Sequence, residues 1–510
     1  MFKTIFAFVM GLACASAAAA APAPVWQASE TEHFTIYSAS PPDRVLKLAT
    51  DLESYDKLMR MATGISPDEK PVKVRIYQVD DIRDVQKALG LEDTGIAGFY
   101  SSNSLGPFLV TPRKTGFESE DFGPDLVLHH EYAHHFMLQY FPASYPGWYT
   151  EGFAELVGSS KIMPDGRIGY GMPAKHRGHE IAAYWVPLQE LLTKEKVTYL
   201  DTYGQGWALT HYLTFDSKRA AEFRRYLAAL NAGRPLDEAA KAFGDLGALD
   251  HDARSYVLNG VFDYRPVKVD ISQPVIRSVR PLSAGEAALI PEVIAYSDED
   301  LNAIEKTGWR ERALKLREAN LSHAREKVAL YPSDPFALYF LAEAEYGLGH
   351  YAESEAAADR LLAINPNHVR GLARKAIDMA ERAQSLPQAD RLAKAQEARH
   401  LAARANQLDK EDPLPLLAYY ESFHAAGEKP PAVAVEGLMQ VVSTLPRDTR
   451  ARGLLVDELA SQHRYAEAIG WLSPLVNNLD ASPLRDSVRK KMDWLKAQLA
   501  TQQGTSQAAR

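Results

Sequence analysis

At 510 residues the chain is longer than one ordinary hydrophobic core organises, so two or three domains are expected. Hydrophobic residues at 46% and charged residues at 24% exclude a disordered or fibrous chain. The formal net charge of -9 gives no basis for nucleic-acid binding, and beyond the N-terminal segment no apolar run is long enough to span a bilayer.

Lys3, the apolar stretch Ile5 to Ala13 and the small residues Ala15 to Ala21 read as a signal peptide over 1–20, with cleavage near Ala20. An exported chain, periplasmic or secreted, is expected. The single cysteine, Cys14, falls inside this segment, where its neighbours Gly11, Leu12 and Ala13 fit a lipoprotein anchor poorly. The mature chain would hold no thiol, which excludes disulfides and cysteine-ligated zinc and leaves metal binding to His and carboxylates.

His33 to Ser38 reads as a strand, Arg44 to Ala62 as an amphipathic helix and Val72 to Val79 as an alternating strand. A short helix over Asp80 to Leu89 follows, then strands at Ile96 to Tyr100 and Phe108 to Thr111. A helix then opens at Pro124-Asp125, where proline and an acidic residue suit a first turn, and stops before Pro142.

This helix carries H-E-x-x-H, written by His130, Glu131 and His134. Residues four apart share a helix face, so both imidazoles can address one metal ion. Glu131, beside the first ligand, can take a proton from a water that the metal activates. His129 and His135 add local His richness and read as surface or supporting groups without an assigned role.

Catalytic zinc takes three protein ligands, and the next stretch, Pro146 to Glu155, offers Glu151 and Glu155 four residues apart. Glu151 can complete a His-His-Glu site, and Glu155 can accept the outer N–H of a ligating imidazole. A solvated acidic face is the competing reading, opposed by the Trp148, Tyr149, Phe153 and Leu156 side chains around these carboxylates.

H-E-Y-A-H, then sixteen residues, then E-G-F-A-E, resembles the gluzincin metallopeptidases. The stretch from Trp26 to Tyr264 is similar to the bacterial peptidase-MA-like proteins of the DUF1570 type. E-T-E-H-F-T-I-Y-S (Glu30 to Ser38), G-I-A-G-F-Y (Gly95 to Tyr100) and Y-G-Q-G-W-A-L-T-H-Y-L (Tyr203 to Leu213) carry this similarity. The resemblance implies an α+β zincin-like catalytic domain over 21–264 and one Zn2+ per chain held by His130, His134 and Glu151. It also implies Glu131 as general base and a Tyr or His stabilising the oxyanion. Tyr203 is the candidate, with His211 and Tyr212 behind it, and packing is the competing role for an aromatic there. The aminopeptidase motif G-x-M-E-N is absent, which favours an endopeptidase acting on polypeptides.

Ser159 to Arg177 reads as a hairpin and loop over the cleft, Ile181 to Leu192 as an amphipathic helix, and Phe223 to Leu230 and Leu236 to Phe243 as closing helices. The Val-, Ser- and Pro-rich stretch 265–297 reads as an extended linker. From 298 to 500 the pattern turns to Ala, Leu, Glu and Arg at helical spacing. Asp334 to Pro366 resembles a tetratricopeptide repeat, with weaker copies at Pro413 to Pro446 and Thr449 to Asn478 and a longer helical pair over Val369 to Leu408. An all-α tetratricopeptide-repeat solenoid is expected, binding a protein partner or substrate, with 501–510 as a frayed tail. Two functions stand at this point: an exported zinc metallopeptidase, and a catalytically silent cell-envelope scaffold that works through its repeats.

Overall fold

The computed structural model describes residues 25–66, 73–89, 96–103, 105–116, 122–143, 145–194, 199–232, 234–271, 273–296, 307–476 and 485–508. The expected signal segment 1–20, with Cys14, and the boundary at 298 lie outside the described residues. Among the described residues no helix is long and apolar enough to cross a membrane.

The described chain is mostly helical, with a sheet near its N-terminus and helix pairs over its C-terminal half. The strands are β1 (Gln27–Glu30), β2 (Phe34–Ser38), β3 (Val74–Asp81), β4 (Phe99–Asn103), β5 (Gly106–Lys114), β6 (Lys161–Ile162), β7 (Ile168–Tyr170), β8 (Arg265–Val267) and β9 (Ser278–Pro281). Six of them form one sheet in the order β4-β5-β3-β2-β1-β9, and β6-β7-β8 form a smaller one. The central β2-β3 and β3-β5 pairs are parallel, aligning Ile36 with Ile76 and Ile76 with Leu109. Antiparallel β4 is an edge strand, with Phe99 opposite Val110.

Alternation along the strands gives the large sheet two different faces. Phe34, Ile36, Val74, Ile76 and Leu109 pack with Leu52, Tyr55, Leu128, Tyr132 and Phe136, residues of helices α1 (Pro42–Thr63) and α3 (Pro124–Tyr140). The short helix α2 (Ile82–Ala88) lies between them in sequence, capped by Asp81. On the opposite face Tyr77, Phe108 and Val110 pack with Leu289, Ile290, Leu321, Leu338 and Phe340.

The remaining helices before the repeats are α4 (Gly147–Gly158), α5 (Gly178–Ala183), α6 (Leu188–Leu191), α7 (Tyr199–Phe215), α8 (Ser217–Asn231), α9 (Leu236–Ala240) and α10 (Leu246–Asn259). The helix expected over Ile181 to Leu192 is broken between α5 and α6. Pro187 removes an N–H there, and Gln205 binds both the N–H (2.8 Å) and the carbonyl (2.7 Å) of the extended Val186. Asp250 takes the Trp185 indole N–H and the Leu188 N–H, which holds the break open.

The stretch expected as an extended linker is structural. Its β8 completes the small sheet, and its β9 pairs with β1, Gln27 opposite Pro281. Helix α11 (Ala284–Ala288) follows, and Leu289 with helix α12 (Ile290–Ile294) then enters the core on the sheet's far face. Strands of three and four residues containing proline carry too little pattern to be read as paired, and their partners lie far away in sequence.

The C-terminal half is a succession of helix pairs: α13 (Thr307–Leu330), α14 (Pro335–Tyr346) with α15 (Tyr351–Ile364), α16 (Val369–Ala383) with α17 (Gln388–Leu408), α18 (Leu414–Ala426) with α19 (Ala432–Thr444), and α20 (Thr449–Ser461) with α21 (Tyr465–Val476). The last helix, α22 (Arg485–Ala508), continues through most of the stretch expected to fray. Capping sets the boundaries. Asp334 accepts from the N–H groups of Phe336 and Ala337 at 3.0 Å each, and Asp448 from Ala451 at 2.8 Å.

Candidate metal centre

Helix α3 is buried nearly all round, which decides what its histidines do. His129 stacks on Tyr55, and His135 packs between Tyr100 and Tyr132. Both are buried, and burial pushes both pKa values down to about 3, so they are neutral packing groups, not surface residues.

His130 and His134 project from the same helix one turn apart, and α4 brings Glu151 against them. The two Nε2 atoms are 3.1 Å apart, and Glu151 Oε2 lies 3.2 Å from His130 Nε2 and 3.5 Å from His134 Nε2. Ligands about 2.0–2.1 Å from a tetrahedral zinc sit roughly 3.3–3.4 Å from one another, so this spacing suits one ion. Glu151 Oε2 is buried and accepts no hydrogen bond of good geometry. The two imidazoles that face this oxygen are poorly aligned as donors, and a cation held between the three groups would satisfy it better.

A second trio, His33, Glu53 and Asp56, has similar spacing but a different character. His33 Nδ1 is 2.8 Å from Glu53, and Glu53 also accepts the N–H groups of Glu32 and His33. Asp56 accepts from Arg60 at 2.7 Å and from the Tyr132 hydroxyl at 2.6 Å. These carboxylates are satisfied by protein donors, and the Tyr132 bond ties α3 to α1.

The field around the first trio favours positive charge. Burial opposes protonation of His130, but Glu151 and Glu155 outweigh it and hold the pKa up at about 10. Glu151 is depressed despite its burial, because His134 and His130 stabilise the carboxylate. Glu131 is raised by burial, with His130 and His134 opposing, and its carboxylate accepts the Tyr100 backbone N–H. It lines the same cleft as the three donors. Gly98 must be small here: a Cβ would stand 2.5 Å from Val127 Cγ1 and 3.2 Å from Glu131 Cγ.

Glu155 is 1% exposed and is held on several sides. Arg177 donates to its Oε1 at 2.7 and 3.1 Å, His176 Nε2 lies 2.7 Å from its Oε2, and His130 Nδ1 lies 3.4 Å from Oε1. Tyr203 lies in the cleft with its ring parallel to the His130 ring, centroids 5.9 Å apart, and the Arg177 guanidinium lies 4.6 Å from the Tyr203 ring centroid. His211 and Tyr212 do not line this cleft. His211 bonds Gly171 O and the Tyr256 hydroxyl at 2.8 Å each, and Tyr212 accepts from Arg219, so both serve packing.

The close approach of α4 and α7 depends on two glycines. A Cβ on Gly152 would stand 2.3 Å from Gly206 O, and one on Gly206 would stand 2.4 Å from Trp148 O. The glycines after Glu151 and within Y-G-Q-G-W therefore set the distance between the helices bearing Glu151 and Tyr203.

His176, Arg177 and Arg447 also belong to this neighbourhood and were missed from sequence. The first two sit in a short basic run, Lys175 to Arg177, at the end of the expected loop, and that run of charge was the available signal. The cleft, about 430 Å³, is walled by the lead-in to β4, by α3 and α4, and by Arg447 and Pro474 from the helix-pair region. Gln139 of α3 donates to Ser443 O at 3.2 Å, and Arg370 of α16 donates to Leu105 O at 2.8 Å, fastening the two halves.

No family model matches the chain, and no curated protein is similar to it in sequence. Among solved structures it is similar to TTC0263, a thermophilic TPR protein of Thermus thermophilus, at 20% identity and a TM-score of 0.32, covering 38% of this chain and 99% of that one. A MamA double mutant (MamA RS-1 ArsTM) matches at 15% identity and a TM-score of 0.23, covering 37% and 90% respectively.

Proposed function

We propose that the chain is an exported zinc-dependent metallopeptidase of the gluzincin type that cuts within polypeptides. The observation that carries this reading is the buried Glu151 Oε2 facing His130 and His134 Nε2 at zinc-ligand spacing, with Glu131 in the same cleft.

His130, His134 and Glu151 would hold the ion. When bound, zinc supplies a Lewis acid that polarises the scissile carbonyl and acidifies a water. Glu131 takes the proton of the attacking water, carries it as a carboxylic acid and gives it to the leaving amine. Its upward shift suits a group that must both accept and release a proton. The Tyr203 hydroxyl donates to the oxygen on which charge develops, and Glu155 fixes the His130 ring. Export rests on the N-terminal sequence alone.

The test is cleavage of unstructured casein by the full chain. Wild type should yield fragments that a chelator abolishes and zinc restores, and Glu131→Gln should yield none. Absence of chelator-sensitive cleavage by wild type would remove the reading. A second reading, a silent scaffold binding another polypeptide through its helix pairs, is favoured by the extent of α13 to α22 and by a groove of about 520 Å³ between α16, α18, α20, α21 and α22.

A further inference from the structure

The helix pairs do more than accompany the cleft; they supply part of its wall. Arg447 sits in the loop between α19 and α20, and this loop is braced from behind. The buried Arg452 donates to Pro446 O and, at 2.5 Å, to Trp471 O, while Asp448 N bonds Leu445 O at 3.0 Å. In front, the bond from Gln139 to Ser443 O fixes the end of α19 against α3, the helix that bears His130, Glu131 and His134. Arg447 is thus held in place relative to the metal donors by rigid elements on both sides.

The two arginines of the cleft differ in one respect. Arg177 is committed to Glu155 and Glu180. Arg447 has no carboxylate partner among the described residues, and its guanidinium instead lies 5.8 Å from the centroid of the Tyr100 ring. Tyr100 is the residue whose backbone N–H bonds Glu131. A guanidinium resting on a buried aromatic keeps its donor edge free and oriented, and that planar edge matches a carboxylate with two parallel hydrogen bonds.

We propose that Arg447 binds a carboxylate of the polypeptide lying in the cleft, so that the helix-pair region sets the site's preference for acidic substrates. The inference rests on the cleft being where a polypeptide lies and does not require that the polypeptide be cut. The carboxylate can come from an aspartate or glutamate side chain or from a free C-terminus, and the chemistry at Arg447 is the same.

The test uses the full chain carrying Glu131→Gln, loaded with zinc, and fluorescein-labelled decapeptides followed by anisotropy. One set is amidated at the C-terminus, with a single Asp walked along the peptide against its Asn twin. The other lacks acidic side chains and ends in a free carboxylate or an amide. At one position, or at the C-terminus, the carboxylate peptide should bind about tenfold to hundredfold more tightly, the range of a charge-assisted hydrogen-bonded pair. Arg447→Gln and Arg447→Ala should abolish that preference, Arg447→Lys should retain part of it, and Arg447→Glu should favour lysine in place of Asp.

Equal binding of every Asp/Asn and acid/amide pair overturns the inference. So does a preference that survives Arg447→Ala and Arg447→Gln, which would place the carboxylate elsewhere, including on the metal. An Arg447-dependent preference in a chain whose wild type cleaves nothing keeps this inference and removes the peptidase reading.

Discussion

Gly152→Ala addresses the packing that places the third donor. The added methyl would stand 2.3 Å from Gly206 O, 2.5 Å from Gly206 C and 2.5 Å from Thr210 Oγ1. Ordinary contact needs about 3.5 Å, and two of these atoms are backbone, so α4 and α7 must separate by roughly 1 Å. Overpacking of this kind costs about 1–3 kcal/mol. At roughly 2–4 °C per kcal/mol, the melting temperature should fall by a few degrees or more. The larger effect should be on metal. Glu151 immediately precedes Gly152 on α4, and donor positions tolerate only about 0.2 Å, so zinc affinity should fall at least about tenfold. Calorimetric melting of the metal-free chain and zinc competition against a chromophoric chelator measure the two effects. Gly470→Ala is the control: it lies within α21, an added methyl meets nothing within 4 Å, and alanine should be neutral or stabilise by up to about 1 kcal/mol. If Gly152→Ala melts with wild type and binds zinc equally well, the account of the α4–α7 contact is wrong.

Glu155→Gln should weaken zinc binding about tenfold to hundredfold, because Glu155 orients His130, and should also destabilise the fold by taking the carboxylate from His176 and leaving Arg177 with Glu180 alone. Equal zinc affinity in wild type and variant would show that Glu155 plays no part in ligand orientation. The His33–Glu53 pair should give stability a defined pH window. Burial lowers the His33 pKa, but the hydrogen bond to Glu53 and the charge of Asp56 outweigh it and raise it above 6.5. Its contribution is therefore complete below 6.5 and lost as pH rises through the raised value. Burial raises Glu53, but His33 prevails and holds it below 4.5, so its contribution is complete above 4.5 and lost as pH falls through the depressed value. Between pH 4.5 and 6.5 the pair contributes in full, and His33→Gln should lower the melting temperature most in that window; a pH-independent decrement would contradict this.

What could be read from the chain depended on how local the information was. The pairing of His130 with His134, and of Glu151 with Glu155, follows from helix periodicity, and the structure brings His130, His134 and Glu151 together. The helix pairs were similarly legible, because Asp334-Pro335, Leu386-Pro387 and Asp448-Thr449 mark ends that a helix cannot ignore. Burial of His129 and His135 was not legible, since it depends on α1 and β4 packing against both sides of α3. Nor was the pairing of β9 with β1, made across most of the N-terminal half by strands too short to show a period. Gly152 and Gly206 were visible as glycines, but only their meeting explains them. The Arg447 wall lacked any local signal, because it arises where two distant parts of the chain meet.

The most direct measurement is the zinc stoichiometry and affinity of the full metal-free chain, titrated in competition with a chromophoric chelator, beside His134→Ala and Glu151→Gln. The account predicts one tightly held ion per chain in wild type and a loss of at least about tenfold in affinity for each variant. Wild type that takes up no zinc, or variants that bind it as tightly as wild type, would contradict a centre built from His130, His134 and Glu151.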